Sequence, residues 1–281
     1  MSLFTITRDK GGVIAWTEEQ VAYIIDKYTN ENYSLKQLGR EFGCTYTTIK
    51  NCLNKHGISS RGNKQGYPRN ELYFYSINTA DKAYWLGFLY ADGTVASGKN
   101  RYDIGITLKD LEHLNKFKNA IGAVNHKITE IGDNRFKDKK TLYRFSIKDK
   151  QLHEDLCKWG CVPNKTFLIS TIPNIPYHLI SHFLRGYFDG DGSLHYLKGT
   201  NNYRISFACG SKSFLETIKN ILQVKVSIGQ NPNSNTYYIQ IAGRKQVIRI
   251  LKYLYQDSNV NNRLDRKYSK YLDCLEWARR H

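Results

Sequence analysis

Two short stretches of the chain end in the same pair of residues, an aspartate followed by a glycine. The first is Trp85–Gly93, which contains Asp92, and the second is Leu184–Gly192, which contains Asp191. Carboxylate oxygens are the ligands that hard divalent cations prefer. Both stretches are predicted to be helical, so each aspartate would lie at a helix C-terminus, where the macrodipole is negative. Two carboxylates brought together in such a position would favour a bound cation.

Small residues repeat at a spacing of four in both stretches and predict how the two helices approach each other. Residues four apart lie on one helix face, and small side chains there allow two helix backbones to come close. The predicted interface residues are Gly87, Ala91, Gly186 and Gly190. Gly93 and Gly192 are predicted to be left-handed C-caps. We expect the helices to pack together and to place Asp92 and Asp191 side by side; the alternative is two separate core helices that each end at an Asp-Gly turn.

The composition predicts a folded protein with a polyanionic partner. The chain has 281 residues, of which 41% are hydrophobic and 13% aromatic, and this is enough apolar material for a sizeable core. The formal net charge of +17 favours nucleic acid as the partner. A membrane surface could use the same charge, but no transmembrane run and no targeting segment is visible. We therefore expect an intracellular protein, in the cytoplasm of a prokaryotic or phage-infected cell or in an organelle. The six cysteines include no CxxC pair, which argues against a zinc site.

Residues 1–57 are predicted to form a loose arm followed by a helix-turn-helix DNA-binding domain. Thr17, Ser34 and Thr45 are good N-cap residues, and each precedes a segment with helical apolar periodicity. The third helix is predicted to present hydrogen-bonding side chains to DNA, and these are Tyr46, Thr47 and Lys50. A generic three-helix bundle is the alternative. The polar, glycine-containing stretch 58–70 is predicted to be a linker.

From residue 71 onward, helical periodicity alternates with the period of two that indicates β-strands. Strands are predicted over 101–109, 127–131 and 142–148 in the first half, and near 203–207, 224–228 and 236–242 in the second. We assign to each half the order helix, two strands, helix, two strands, helix, in which one strand of the first pair is not marked by its own alternation. The predicted fold class is α+β. It consists of two pseudo-symmetric αββαββα repeats, at 71–170 and 171–281, which form a β-saddle and are preceded by a small all-α domain.

One face of each predicted sheet must pack on helices, which leaves the other face free. Along the strands this free face carries Arg, Lys, Gln and Thr side chains, which suit phosphates and base edges. The residues of the repeats that are predicted to contact DNA are Arg101, Thr107, Lys109, Arg144, Arg204, Gln240 and Arg244. A solvated polar face without a ligand is the alternative interpretation.

The paired stretches resemble the two signature motifs of the LAGLIDADG homing endonucleases in their single-chain form, and the resemblance extends over both predicted repeats. It implies that Asp92 and Asp191 are catalytic and bind a divalent metal, Mg²⁺ or another such as Mn²⁺. It also implies a basic catalytic residue near the attacking water, and Lys148 matches that position in the first repeat. In the second repeat Lys245 or Arg244 would have to substitute.

Two positions depart from the pattern of this family. Tyr90 stands in the first motif where the family usually has an acid, whereas Asp189 occupies the same position in the second motif. That acid is generally structural in the family, so Asp189 is expected to support packing and not to bind metal. Arg185 replaces a small residue, and its side chain is therefore expected to face outward. Neither change removes a metal ligand that the resemblance implies.

The resemblance implies a site-specific, Mg²⁺-dependent double-strand DNA endonuclease of intron homing. Such a protein would act as a monomer on a long specific target and would have no membrane partner. Two other functions remain open on the same scaffold: a non-catalytic DNA-binding transcriptional regulator, and an intron RNA splicing helper, or maturase. Retention of both Asp92 and Asp191 favours the nuclease, because binding alone does not need them. The helix-turn-helix argues against a purely RNA partner.

Overall fold

The computed structural model describes residues 7–8, 14–31, 33–58, 68–96, 98, 100–133, 140–163 and 165–280. The chain divides into two compact units, one formed by residues 1–73 with 121–125 and the other by residues 74–120 with 126–281. Most of the predicted arm, and residues 59–67 of the predicted linker, lie outside the described residues. Within the described part of the chain, no helix is long and apolar enough to cross a membrane.

In the N-terminal unit, the described residues form three helices, α1 (Glu18–Thr29), α2 (Leu35–Glu41) and α3 (Tyr46–Lys55). Each helix begins where the sequence predicts. The hydroxyl groups of Thr17, Ser34 and Thr45 accept hydrogen bonds from the backbone N–H three residues further on. The inward side chains form one core, which consists of Ile24, Tyr28, Leu38, Phe42, Ile49, Cys52 and Leu53. This core fixes the three helices relative to one another.

The turn between α2 and α3 is tight. A Cβ atom added at Gly39 would lie 2.8 Å from the carbonyl oxygen of Cys44, so α2 needs glycine where the chain turns back on it. Gly43 lies within the turn and has a φ of 60°, a conformation that favours glycine.

The helical N-terminal domain is confirmed, and a short ribbon precedes it. In the segment expected to be a loose arm, β1 (Thr7–Arg8) pairs with β2 (Ile14–Ala15) in an antiparallel ribbon. Strands of two residues contain too little periodicity to be visible in a sequence.

The second unit contains two repeats with the same order of elements. The first repeat consists of α4 (Ala80–Asp92), β3 (Gly93–Val95), β4 (Asp103–Leu108), α5 (Leu111–Ala120), β5 (Ile128–Asp133), β6 (Lys140–Lys148), α6 (Lys150–Lys158) and the short α7 (Lys165–Leu168). The second repeat consists of α8 (Ile180–Asp191), β7 (Gly192–Leu197), β8 (Asn202–Cys209), α9 (Lys212–Leu222), β9 (Ile228–Gln230), β10 (Tyr237–Ala242), α10 (Arg244–Tyr255) and α11 (Asp265–Arg280). The predicted αββαββα order is therefore confirmed in both repeats.

Each repeat folds its strands into a four-stranded antiparallel sheet with the same topology. The strand orders are β3-β4-β6-β5 and β7-β8-β10-β9. The register is also the same, since Gly93 pairs with Ile106 in the first sheet and Gly192 pairs with Phe207 in the second. Positions on one sheet therefore have structural equivalents on the other.

One face of each sheet is buried and the other faces solvent, as the predicted alternation requires. The buried strand residues are Ile104, Ile106, Phe145 and Ile147 in the first sheet, and Ile205, Phe207, Ile239 and Ile241 in the second. The intervening side chains of Thr107, Arg144 and Gln240 are exposed. Removal of the apolar face from water stabilises each sheet against its helices.

The strand predicted at 224–228 begins only at Ile228. Before it, α9 ends with Gln223 in the left-handed conformation, with φ of 51°. The N–H of Val224 then donates to the carbonyl oxygen of Lys219 at 3.1 Å, and the apolar side chain of Val224 is buried. This is a Schellman-type end of a helix. In the sequence, an apolar residue that closes a helix gives the same signal as one that begins a strand.

Candidate active site

Helices α4 and α8 pack with their backbones in contact. A Cβ atom added at Gly87 would clash with the carbonyl oxygen of Phe183 and lie 2.8 Å from its carbonyl carbon. A Cβ atom added at Gly186 would clash with the carbonyl oxygen of Tyr84 and lie 2.7 Å from the amide nitrogen of Phe88. The two glycines thus make equivalent contacts in opposite directions, which is the arrangement of a pseudo-two-fold axis.

The C-terminal ends of the same two helices meet at Gly190. A Cβ atom added there would clash with the Cβ atom of Ala91 and lie 3.2 Å from Oδ2 of Asp92. Asp191 is the next residue along the chain, and its carboxyl group is close enough to Asp92 for the two charges to repel each other. The structure therefore brings the two acids together beside the small residues of the interface.

The glycines that follow the acids are not the left-handed caps that the sequence predicts. Gly93 has φ of −72° and Gly192 has φ of −81°, so both are extended and each begins a strand at once. These positions need glycine for space. A Cβ atom at Gly93 would lie 2.5 Å from the carbonyl oxygen of Leu89, and one at Gly192 would lie 2.6 Å from that of Phe188. Each acid is consequently held between the end of a helix and the start of a strand.

Both carboxyl groups have raised pKa values. Desolvation, with repulsion by Asp92 as the second cause, raises the pKa of Asp191 to about 6. Desolvation also raises the pKa of Asp92, while the positive charges of Lys267 and Lys165 lower it. Asp191 is nevertheless exposed at its open side and Asp92 is half-buried, so both remain accessible to a ligand. An added cation would stabilise the ionised form of both groups.

Two buried lysines lie beside the acids, one in each repeat. The Nζ atom of Lys165 donates to the carbonyl oxygen of Gly93. The Nζ atom of Lys267 donates to the carbonyl oxygens of Phe188 and Gly192, each at 2.5 Å. The carbonyl groups of Gly93 and Gly192 lie just beyond the helix ends, where no intrahelical donor reaches them, and the lysines supply one. Desolvation lowers the pKa of Lys267 to about 8, against the opposing effect of neighbouring carboxylates.

Sequence reasoning missed both of these lysines. They donate to backbone carbonyl groups, which every residue has, so no pattern of side chains marks their partners. The signal in the sequence is positional. Each lysine follows the closing helix of its repeat, in Pro163-Asn164-Lys165 and in Asp265-Arg266-Lys267.

The two lysines that the resemblance suggests as catalytic lie on the surface of their repeats. Lys148 is exposed at the end of β6, where it pairs with Asp103. That row of the sheet is three residues beyond Gly93, or roughly 10 Å at the rise of a strand. Lys245 is exposed in the first turn of α10. Neither lysine is among the charges that shift the pKa of Asp191.

Asp189 is fully buried and has three hydrogen-bond donors. It accepts from the hydroxyl groups of Tyr84 at 2.8 Å and Tyr255 at 2.5 Å, and from the backbone N–H of Leu264 at 2.7 Å. These bonds stabilise the carboxylate, although burial raises its pKa. The arrangement agrees with the packing role expected for this acid. In the first repeat the equivalent Tyr90 donates to a backbone carbonyl group instead.

The prediction that Arg185 faces outward is wrong, because its side chain is completely buried. Nε and Nη2 donate to the carbonyl oxygen and Oδ1 of Asn262 at 2.7 and 2.8 Å, and Nη1 donates to the carbonyl oxygen of Leu254 at 2.8 Å. The guanidinium also lies 5.4 Å from the centroid of the Tyr84 ring. A guanidinium can be buried when its donors are satisfied in this way. Two of its three acceptors are backbone atoms, which the sequence does not mark.

Residues 262–266 connect the second repeat to the first. The amide of Asn262 donates to Oδ1 of Asp81 at 2.6 Å. The guanidinium of Arg266 donates to Oδ2 of Asp110 at 3.0 Å. Both acceptors belong to the first repeat, at the start of α4 and immediately before α5. This segment, which we call the bridging segment, therefore holds the two halves of the unit in place around the acids.

The side chains predicted to contact DNA lie at the surfaces of their units. On α3, Tyr46, Thr47 and Lys50 are exposed. In the repeats the exposed residues of this set are Arg101, Thr107, Lys109, Arg144, Gln240 and Arg244, and Arg204 is half-buried. Within each unit these side chains are therefore accessible to a ligand.

The acid pair can supply two carboxylate ligands to a divalent cation. Among the residues that the structure describes, no group of three His, Cys, Asp or Glu side chains could hold a metal ion. Asp92 and Asp191 offer only carboxylate oxygens, which suit Mg²⁺ or Mn²⁺. Mg²⁺ is commonly held by one or two carboxylates, with water and substrate phosphates completing its ligands. Two acids are therefore a sufficient protein contribution.

The fold and the acid pair define a duplicated α+β domain whose candidate site lies where two equivalent helices touch. Residues 81–152 match the WhiA LAGLIDADG-like domain family, and residues 179–255 match the LAGLIDADG-like domain family. Each match contains nearly all of one of the two interface helices, and together they span more than half of the chain. This chain belongs to the LAGLIDADG family.

Two curated proteins of Methanocaldococcus jannaschii are similar in sequence. Replication factor C small subunit is 29% identical over 294 residues, which cover 90% of this chain and 15% of that protein. An uncharacterized protein is 24% identical over 177 residues, which cover 63% of this chain and 64% of that protein. The chain thus spans less than two thirds of the length of either relative.

Solved structures of the same family have lower sequence identity to this chain than these two relatives. I-SmaMI, a meganuclease solved with an uncleaved DNA target in the presence of calcium ions, is 14% identical with a TM-score of 0.49, and the match covers 72% of this chain and 91% of that chain. Full-length DUF199/WhiA from Thermatoga maritima is 16% identical with a TM-score of 0.43, and covers 73% and 64%. A likeness of this strength says nothing about what this chain binds.

Proposed function

We propose that this chain is a site-specific, divalent-metal-dependent endonuclease that cleaves both strands of DNA, of the homing type. The observation that carries the proposal is the contact between the ends of α4 and α8. It places Asp92 and Asp191 together, desolvates them and leaves them accessible. A scaffold that only binds DNA gains nothing from two carboxylates that repel each other and the DNA phosphates.

The cation proposed for this site is Mg²⁺, or another such as Mn²⁺, held by Asp92 and Asp191. When bound, it supplies an activated water and neutralises charge on the phosphate and on the leaving oxygen. The protein contributes the position of the two carboxylates, which the glycine contacts of α4 and α8 fix. Because the carboxylates belong to equivalent helices, each can serve one strand of a duplex whose two strands are also related by local two-fold symmetry.

Lys165 and Lys267 are proposed to position the acids. Each holds a carbonyl oxygen of the residue that directly follows an acid, Gly93 or Gly192. Their positive charges lower the pKa of Asp191 and thereby favour its ionised form. Lys148 and Lys245 are both exposed and are proposed as basic residues of the DNA-binding surface.

The chain is proposed to bind DNA with two separate surfaces. Residues 1–57 form the helix-turn-helix domain, whose α3 presents Tyr46, Thr47 and Lys50, and residues 58–70 form the linker. The repeats 71–170 and 171–281 present the exposed faces of the two sheets. Contacts of Arg and Lys with phosphates make affinity strongly dependent on salt, and contacts with base edges specify a long target. The protein is proposed to act as a monomer, since the duplication supplies both halves of the site.

The test begins with duplexes selected by binding, in EDTA, from a randomised DNA library. The wild-type protein is expected to cut both strands of the selected duplex in Mg²⁺ and neither strand in EDTA. Asp92→Asn and Asp191→Asn should each slow cleavage by on the order of 100-fold or more, while binding stays nearly unchanged. Asp273→Asn, at an exposed acid on α11, is the matched control and should retain both activities. Unimpaired cleavage by either site variant would refute the assignment of the acids.

A second candidate is a DNA-binding regulator without nuclease activity. It is favoured by the match of residues 81–152 to the WhiA LAGLIDADG-like domain family, because WhiA is a DNA-binding regulator. Tight binding of a selected duplex that is never nicked in Mg²⁺ would support this function and exclude the endonuclease. A maturase would instead prefer structured RNA over every selected duplex in competition.

A further inference from the structure

Equivalent positions on the two exposed sheet faces carry different side chains. The shared register equates Asp103 with Arg204, and Ser146 with Gln240. The first sheet therefore presents a short carboxylate and a hydroxyl group where the second presents a guanidinium and an amide. The two sheets cannot make the same contacts with a ligand at this place.

Arg204 and Gln240 are in contact across the exposed face of the second sheet. Nη1 of Arg204 donates to Oε1 of Gln240 at 3.2 Å. Directly opposite Arg204 on β10 lies Ala242, whose methyl group is small, so the arginine has room to lean along the strand. Because a guanidinium has donors only, the amide atom that faces it must be the oxygen. The contact therefore fixes the orientation of the Gln240 amide.

This pair offers an approaching molecule mainly hydrogen-bond donors. Arg204 has no acceptor, and the carbonyl oxygen of Gln240 already uses one of its two lone pairs to accept from Arg204. In the major groove guanine presents two acceptors, N7 and O6, whereas adenine presents one acceptor and one donor. A surface on which donors predominate fits guanine better than adenine, whose N6 donor would have to share the Gln240 oxygen with Arg204. Glutamine with a free amide would have the opposite preference, because its oxygen and nitrogen match adenine.

We propose that Arg204 and Gln240 form a guanine-reading site for the half of the target that the second sheet binds. The inference rests on the proposed function, in that DNA must lie against the exposed sheet faces. The equivalent residues Asp103 and Ser146 provide no pair of donors, so the guanine requirement belongs to one half of the target. The target is consequently asymmetric at this base pair.

The test compares base preferences by sequencing the duplexes that each protein binds from a randomised library. The wild type is expected to enrich guanine over adenine at one position by at least about fivefold. In Arg204→Ala the Gln240 oxygen is released, and the preference at that position should change to adenine. In Gln240→Ala the arginine still donates to guanine, so the guanine preference should persist in a weaker form.

Arg144→Ala, on the exposed face of the first sheet, is the matched control and should change only positions in the other half of the target. A selected site whose guanine is unaffected by Arg204→Ala overturns the inference. Loss of guanine without a gain of adenine overturns the role of Gln240. A protein that enriches no sequence overturns the proposed function as well. Enrichment of the expected guanine in a site that is never cut overturns only the endonuclease and supports guanine reading.

Discussion

Replacing Gly186 by alanine adds one methyl group at the centre of the contact between α4 and α8. This group would clash with the carbonyl oxygen of Tyr84 and lie 2.7 Å from the amide nitrogen of Phe88. Both are backbone atoms inside a buried helix, so no side chain can rotate away. The helices must separate, and the two acids at their ends must move with them.

The cost follows from the size of this displacement. Non-bonded contacts of carbon with a polar backbone atom rest at roughly 3.3 Å or more, so a separation of at least about 0.6 Å is needed. Overpacking of this kind costs about 1–3 kcal/mol of unfolding free energy. At roughly 2–4 °C per kcal/mol for a domain of this size, Tm should fall by about 2–12 °C. Since a misplacement of ~1 Å can slow catalysis ~100-fold, cleavage should suffer more than stability.

Urea unfolding, thermal unfolding and cleavage of a selected duplex in Mg²⁺ are the measurements. Gly87→Ala occupies the equivalent contact and should cost about as much as Gly186→Ala. Gly199→Ala is the matched control, because a Cβ atom there meets nothing within 4 Å, and it should change stability by no more than about 0.5 kcal/mol. If Gly186→Ala is as stable and as active as Gly199→Ala, the close helix contact does not build the site.

Two further predictions concern buried and partly buried charges. The pKa of Asp191 in the folded protein is about 6, above the ordinary value of 3.8 for an aspartate, so ionisation of this carboxyl group destabilises the fold as pH rises between these two values. Asp191→Asn should therefore be more stable than the wild type at pH 8, by about 1 kcal/mol after allowance for the exposure of Asp191. Below pH ~4 the two proteins should be equally stable. A variant that is less stable than the wild type at pH 8 contradicts this account of the Asp191 pKa. Arg185→Leu should lower the urea unfolding free energy by about 2–4 kcal/mol, because the carbonyl oxygens of Leu254 and Asn262 lose the buried guanidinium that donates to them. Arg279→Leu, at an exposed site, should change it by no more than about 0.5 kcal/mol, and equal effects of the two would contradict the role of burial.

The sequence predicts those parts of the site that depend on spacing. Glycines four apart, followed by an acid, are enough to predict helices whose backbones touch, and the same pattern in both halves predicts the pairing of Asp92 with Asp191. Alternation of apolar and polar residues along the strands predicts which side chains point away from the core. These features are local, since each depends on residues that lie within one helix or one strand.

The parts that sequence reasoning missed or misplaced depend on backbone atoms far away in the chain. Arg185 is buried because carbonyl groups near residues 254 and 262 accept from it, and Lys267 is buried because helix-end carbonyls do. No left-handed turn requires glycine at position 93. A side chain is excluded there because the last turn of its own helix lies against Gly93. A side-chain pattern carries no record of such acceptors, so a polar residue in a helix looks exposed until the fold is known.

The bridging segment has a consequence for how such chains can be recombined. Its contacts with Asp81 and Asp110 make residues 262–266 a structural part of the first repeat, although they lie near the other end of the chain. A hybrid that joins the first repeat of this chain to the second repeat of a relative would break these bonds unless the donor supplies the same side chains. The exchangeable half is therefore discontinuous in the gene, and a single crossover between the repeats does not transfer it intact.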